Sequence, residues 1–359
     1  MRASARAALG VATLIVVSVG AETSHLAAAH DDAALGGGTW WAGVLQVGAA
    51  AGAVVAGVVL ITRGVRACGA LLTLTGPAIL VAQLPASAVG TSLVFTIALV
   101  AGVLAPALAS SAAITYPVAR VGRVEWGLVF FAVGTALVVR GLVPATLFEP
   151  RAIGCFACAR NLVAVRSDPS LHSTIIRVGL ALTVAWALGL FARTLWRWRR
   201  AASIVRLING PLVLGGAAIA SLAAVAAVHS MGQSTAEIDF TLRACWLVQC
   251  GLVALMGLGV LAGDIRARWL TGTVSASVIA AVPDPEQLRR ILAASINDDN
   301  LALVFPRHNS ALVDGAGREV PTTAGTFAAL RVTRGENLMA EIRYDERLVG
   351  ASQQLAASV

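Results

Sequence analysis

Lysine is absent from the chain: all 27 basic residues are arginine. Chemistry that needs an amine, such as a Schiff base or a Walker-type phosphate lysine, is excluded with it. Charge of either sign is scarce too. Only 13% of residues are charged, against about 25% in a soluble globular protein. Aromatic residues make up 5%, tyrosine occurs twice, and five cysteines in 359 residues are too few for a disulfide scaffold. These shortages exclude a soluble enzyme, a disordered chain, a coiled coil and a disulfide-rich secreted domain. What is abundant is apolar: 57% of the residues, with a mean hydropathy of +0.79. That composition belongs to a polytopic helical membrane protein.

The net charge of +8 is unevenly spread, with +9 in residues 1–263 and −1 in residues 264–359. The basic excess therefore lies between apolar runs, where it encodes topology and not a groove for nucleic acid. Eight runs approach the length needed to span about 30 Å of hydrocarbon. They cover about 7–29, 40–61, 67–86, 91–117, 126–148, 175–192, 211–231 and 241–263. Thirteen arginines fall in alternate breaks: Arg2, Arg6, Arg63, Arg66, Arg120, Arg123, Arg193, Arg197, Arg199, Arg200, Arg206, Arg266 and Arg268, with Glu125 set among them. The other breaks read HDDAALGGG, PASAVG, EPRAIGCFACARNLVAVRSDPSLHST and GQSTAEIDF. The positive-inside rule puts the N-terminus, the arginine loops and the C-terminal segment in the cytoplasm. Trp126, Trp196, Trp198 and Trp269 then mark the inner interface, and Trp40 and Trp41 the outer one. Residues 7–29 also resemble a cleavable signal peptide, which would leave seven spans with the same orientation. The arginine run 193–200 sets topology or grips anionic lipid heads.

Beyond the membrane region, residues 269–282 read as helical and 285–296 as a short amphipathic helix starting at the Pro283–Pro285 pair. LALVF (301–305), ALVD (311–314), FAALRV (327–332) and LMAEIRY (338–344) alternate as strands. Asp314-Gly315 and Arg334-Gly335 mark turns. The expected fold is an all-α polytopic membrane bundle of about eight transmembrane helices, 1–263, followed by a small α/β segment with antiparallel strands, 264–359.

Two constellations carry chemistry. Cys155 and Cys158 lie in the longest outer loop. They read as a structural disulfide, as a redox or thiol sensor, or as half of a metal site with His172 and Asp168 nearest at hand. Cys68, Cys245 and Cys250 read as small buried apolar residues. The second is an ionisable set near the outer leaflet: Glu22, His25, Arg140, Arg177, His229, Asp239 and Arg243. Arg140 lies about 21 Å along its helix from Trp126. A charge at that depth either faces the bundle interior, against Glu22 or Glu149, or snorkels outward. Pro77 and Pro106 mark kinks. No cofactor site is read from the chain, and the partner it implies directly is the lipid bilayer.

GCFACARNLVAVRSDPSL (154–171), the arginine run after the next span, and DPEQLRRILAASINDDNLALVFP leading to VDGAGREV resemble the input half of actinobacterial sensor histidine kinases that signal to NarL/LuxR-type response regulators. The likeness is strongest over 149–359. It implies that the C-terminal segment is an incomplete GAF-like domain, and that the protein is a homodimeric sensory module. It also implies a response-regulator system and, since no phospho-acceptor box or ATP-binding box is read, a kinase that is either a separate subunit or lost. His25, His30, His172, His229 and His308 lack the setting of a phospho-acceptor. Asp314-Gly315-Ala316-Gly317 reads as a glycine-rich hairpin turn in preference to a nucleotide-binding box. The alternative from another class is a small transporter with a cytoplasmic tail. Against it stands the lack of interrupted helices in matching halves.

Overall fold

The computed structural model describes residues 40–82, 91–116, 121–153, 159–200, 203–233, 240–280, 285–296, 301–306, 312–315, 317–320, 327–334 and 337–345. The chain divides into two compact units, 1–199 with 210–261, and 200–209 with 262–359.

The first unit is helical. It contains α1 (Trp40–Thr62), α2 (Arg66–Val81), α3 (Ser92–Ala101) and α4 (Leu104–Thr115). One longer rod follows, built from α5 (Arg123–Gly134), a π-helical stretch π1 (Thr135–Leu142) and α6 (Val143–Thr146). A 3₁₀ turn (Pro150–Ile153) leads to α7 (Pro169–Arg200), α8 (Ser203–Gly232) and α9 (Phe240–Ala280), of which residue 200, residues 203–209 and residues 262–280 belong to the second unit. Five helices are long and apolar enough to cross a membrane: Trp40–Thr62, Arg123–Thr146, Pro169–Arg199, Gly210–Gly232 and Phe240–Ile265. Counting α3 and α4 as one broken span, bent by 43°, makes six.

The expected eight spans are thus not reached among the described residues. Run 7–29 lies outside them. Run 67–86 yields a helix of 16 residues, about 24 Å long by the rise per residue. The bend in run 91–117 has a chemical cause. Pro106 has no N–H to bond the carbonyl of Gly102, and its ring crowds that carbonyl, so the helix breaks at residues 102–103.

Small residues set how the helices pack. Nearly every residue of α4 is buried, from Ala105 to Thr115, and most are alanine or serine. One core lies where α4 meets α1, α2 and α9, around Leu60, Leu72, Ile79 and Met256. The other lies where it meets α5 and α7, around Ile114, Val129, Trp186 and Leu190. Without a hydrophobic drive between helices in lipid, such close backbone approach is the main source of association. Gly57 and Gly69 face each other across α1 and α2, and a Cβ on Gly69 would stand 2.6 Å from the Gly57 carbonyl oxygen. The two helices are joined by a tight turn in which Gly64 takes a φ of +86°. Val65 N–H bonds the Leu60 carbonyl and Gly64 N–H that of Ile61, the pairing of a Schellman stop.

In the second unit, α10 (Pro285–Ile296) precedes a four-stranded antiparallel sheet in the order β2-β1-β4-β3. Its strands are β1 (Ala302–Pro306), β2 (Leu312–Asp314), β3 (Phe327–Arg334) and β4 (Asn337–Asp345). All four expected strands form. Leu303 and Val304 point to opposite faces of β1 and are both buried, as suits a central strand. Asp314 and the following glycines form a turn: Asp314 accepts from the backbone N–H groups of Gly317 and Arg318, and Arg318 pairs with its carboxylate at 2.9 Å.

Candidate functional site

The described part of the loop between α6 and α7 is built on one buried side chain. Asn161 donates through Nδ2 to the carbonyls of Ala145 (2.7 Å) and Phe148 (2.6 Å), and its Oδ1 accepts from Val163 N–H. These bonds satisfy the Phe148 carbonyl beyond the end of α6 and add a second donor to the Ala145 carbonyl, which also accepts from Phe148 N–H. The loop then follows the rod's end: Val165 and Arg166 N–H groups bond the Thr146 carbonyl, and Asp168 N–H bonds that of Leu147. Leu162 N–H reaches Thr96 Oγ1 on α3 at 3.0 Å. Asp168 closes the loop by capping α7. Its carboxylate accepts from Leu171 N–H and Ser170 Oγ, with Pro169 in the first helical position. Those bonds, from Leu171 first and then Ser170, hold the Asp168 carboxyl below the usual carboxylate range. His172 stacks on Phe148, ring centres 5.4 Å apart, and its Nδ1 lies 3.2 Å from the Pro144 carbonyl. The result is a folded cap tying α3, α6 and α7 together at the start of α7.

Cys155 and Cys158 lie outside the described residues, as do Glu22, His25 and Asp239. Cys68, Cys245 and Cys250 are reduced and buried. Among the described residues no group of three or more His, Cys, Asp or Glu could hold a metal ion.

The ionisable set is only partly assembled. Arg140 sits on π1, and the reason for the widened turn is local. Pro144 lies four residues on, where its ring would strike the Arg140 carbonyl, and Val143 N–H bonds Val138 instead, five residues back. The Arg140 side chain turns inward onto α7 at Gly179, where a Cβ would stand 2.6 Å from its Cγ. Its Nε is buried without a hydrogen-bond partner, and so is Oε1 of Glu149. Among the described residues no hydrogen bond or ion pair joins Arg140 to Glu149, and Glu22, the other partner expected for Arg140, lies outside them. Arg177 does not join Arg140 either. It is exposed on α7, beside the stripe Leu171, Thr174, Val178, Ala181 and Leu188, whereas Gly179, Leu180, Thr183 and Trp186 face the core. Arg243 is half-buried in the first turn of α9, and half-buried His229 bonds Gln233 one turn further along α8.

A second cluster lies at the other end of α7. Arg193 donates to Glu125 Oε1 through Nε at 3.0 Å and again through Nη2. Its guanidinium lies 4.4 Å over the Trp196 ring. Arg197 donates to the carbonyls of Ile114 and, at 3.3 Å, Tyr116, closing the C-terminal end of α4. Glu125 is 7% exposed. Arg193 and Arg197 thus latch α7 to α4 and α5, a role beyond the expected topology signal. The clue in the sequence was Glu125 itself, an acid set among arginines at a helix start.

Compared with known proteins, the chain matches no family model, no curated protein and no solved structure.

Proposed function

We propose that this chain is the membrane-embedded sensory module of a two-component signalling system, passing its signal to a histidine kinase. The observation that supports the reading most directly is that α7 is fastened at both ends. The Asn161 cap holds its start, and the Glu125–Arg193 and Arg197 contacts hold it about 36 Å further on. A rigid helix held this way carries a shift at one end to the other. Arg140, buried against its middle with an unpartnered Nε, is where a cue would bias that helix. By the arginine distribution the latch faces the cytoplasm, as does the C-terminal segment, whose small sheet is read here as GAF-like.

A transporter is the second reading, favoured by the broken α3–α4 span. One experiment separates them. The chain in nanodiscs is mixed with a histidine kinase that signals to a NarL/LuxR-type response regulator and with that regulator, and phosphotransfer is followed for the native protein and Glu125→Gln. A sensor alters the kinase rate, and the variant shifts that effect several-fold. No effect on phosphotransfer, with solute uptake by proteoliposomes, overturns the sensor.

A further inference from the structure

The outer breaks are poor in basic charge with one exception. HDDAALGGG, PASAVG and GQSTAEIDF contain no arginine, but residues 140–177 contain five, against the acids Glu149 and Asp168. This runs counter to the positive-inside bias that orders the rest of the chain. The folded cap shows where part of that charge goes. Arg160 and Arg166 are exposed, the Arg166 side chain by 79%, with a 3.9 Å contact to Asp168. Leu162 and Val165 alternate with them and are 55% and 86% exposed. Arg177 emerges about two turns into α7, next to the apolar stripe of that helix. The backbone bonds to Thr146, Leu147 and Thr96 hold the loop rigid. Its apolar and basic side chains are therefore presented at the level where the apolar helices end.

We infer that this cap is a binding surface for anionic phospholipid headgroups of the outer leaflet. Leu162 and Val165 enter the acyl boundary, and Arg160, Arg166 and Arg177 bind the phosphates. The inference does not depend on the signalling reading.

The test uses the full chain in detergent and native mass spectrometry of retained lipid. Phosphatidylglycerol should be retained over phosphatidylcholine and should raise the melting temperature. Replacing Arg160, Arg166 and Arg177 by Gln should reduce the preference by about fivefold per arginine, and replacing all three by Lys should keep most of it. Should the Gln variant fail to fold, the native protein in 1 M salt serves instead, and its preference should collapse. Equal retention of the two lipids, a preference that survives the Gln changes or high salt, or the same stabilisation by soluble glycerol phosphate overturns the inference.

Discussion

Asn161 shows how much a single buried amide can organise. It supplies two donors to carbonyls that a helix end leaves open and accepts one backbone N–H. Asn161→Ala strands the Phe148 carbonyl and removes one of the donors to Ala145, at about 1–3 kcal/mol. Thermal unfolding in detergent should show that loss, and hydrogen exchange should rise across 162–168 but not in α1 and α2. Unchanged exchange in 162–168 would refute the role given to Asn161. Asp168 adds a pH dependence with a fixed sign. Its folded pKa is depressed by the Leu171 and Ser170 donors. Its contribution is therefore complete above the unfolded value, about 3.9, and is lost as pH falls through the lower folded value. Protection of the first turn of α7 should be flat from pH 7 to 5 and drop in stronger acid. Asp168→Asn, which caps without titrating, should remove that drop.

At the scale of the element, close contact and latching decide more than propensity. Gly69→Ala forces a Cβ into the Gly57 carbonyl and should cost about 1–3 kcal/mol. Gly127→Ala meets nothing within 4 Å on an exposed helix face and should stabilise by about 0.5–1 kcal/mol. Parallel melts of the two variants report the contrast, and equal effects would contradict the tight α1–α2 packing. Glu125→Gln keeps an acceptor for Arg193 but removes the charge. Because Arg193 is 30% exposed, the expected loss is about 1–2 kcal/mol, below that of a fully buried pair. Exchange should increase at the inner end of α7 and leave the outer cap unaffected. The strands of the second unit were readable as local alternation, and so was the Asp314-Gly315 turn; the expected Arg334-Gly335 turn lies outside the described residues. The π stretch was not, because the effect of Pro144 on the preceding turn depends on the helix already being there.

For the whole molecule, orientation is the property on which the rest of the reading stands. Alkaline phosphatase fused after Ser167, in the outer cap, should be active, and fused after Ala201, past the latch, it should be inactive. Activity at both sites, or the reverse pattern, would invert the assignment of cap and latch to the two faces of the membrane. The expectation comes from thirteen arginines in alternate breaks. The structure adds that α7 runs without interruption from one site to the other.

Composition and hydropathy by themselves determined the membrane class, the positions of most long helices and the four strands. These follow from local transfer energies and side-chain periodicity, which need no knowledge of neighbours. The burial of Cys68, Cys245 and Cys250 followed for the same reason. Tertiary structure alone decided the partners. Arg193 finds Glu125 from 68 residues away, Arg197 closes a helix 81 to 83 residues back, and Leu162 reaches Thr96 across 66. It also turned Arg140 onto Gly179 and left Arg177 exposed on α7, although few residues separate the two positions in depth by the notional length of their helices. Depth is written in the count of residues along a helix. Azimuth is set by which faces of α4, α5 and α7 pack, and that packing is shaped by glycines and alanines whose effect appears only when a second helix arrives.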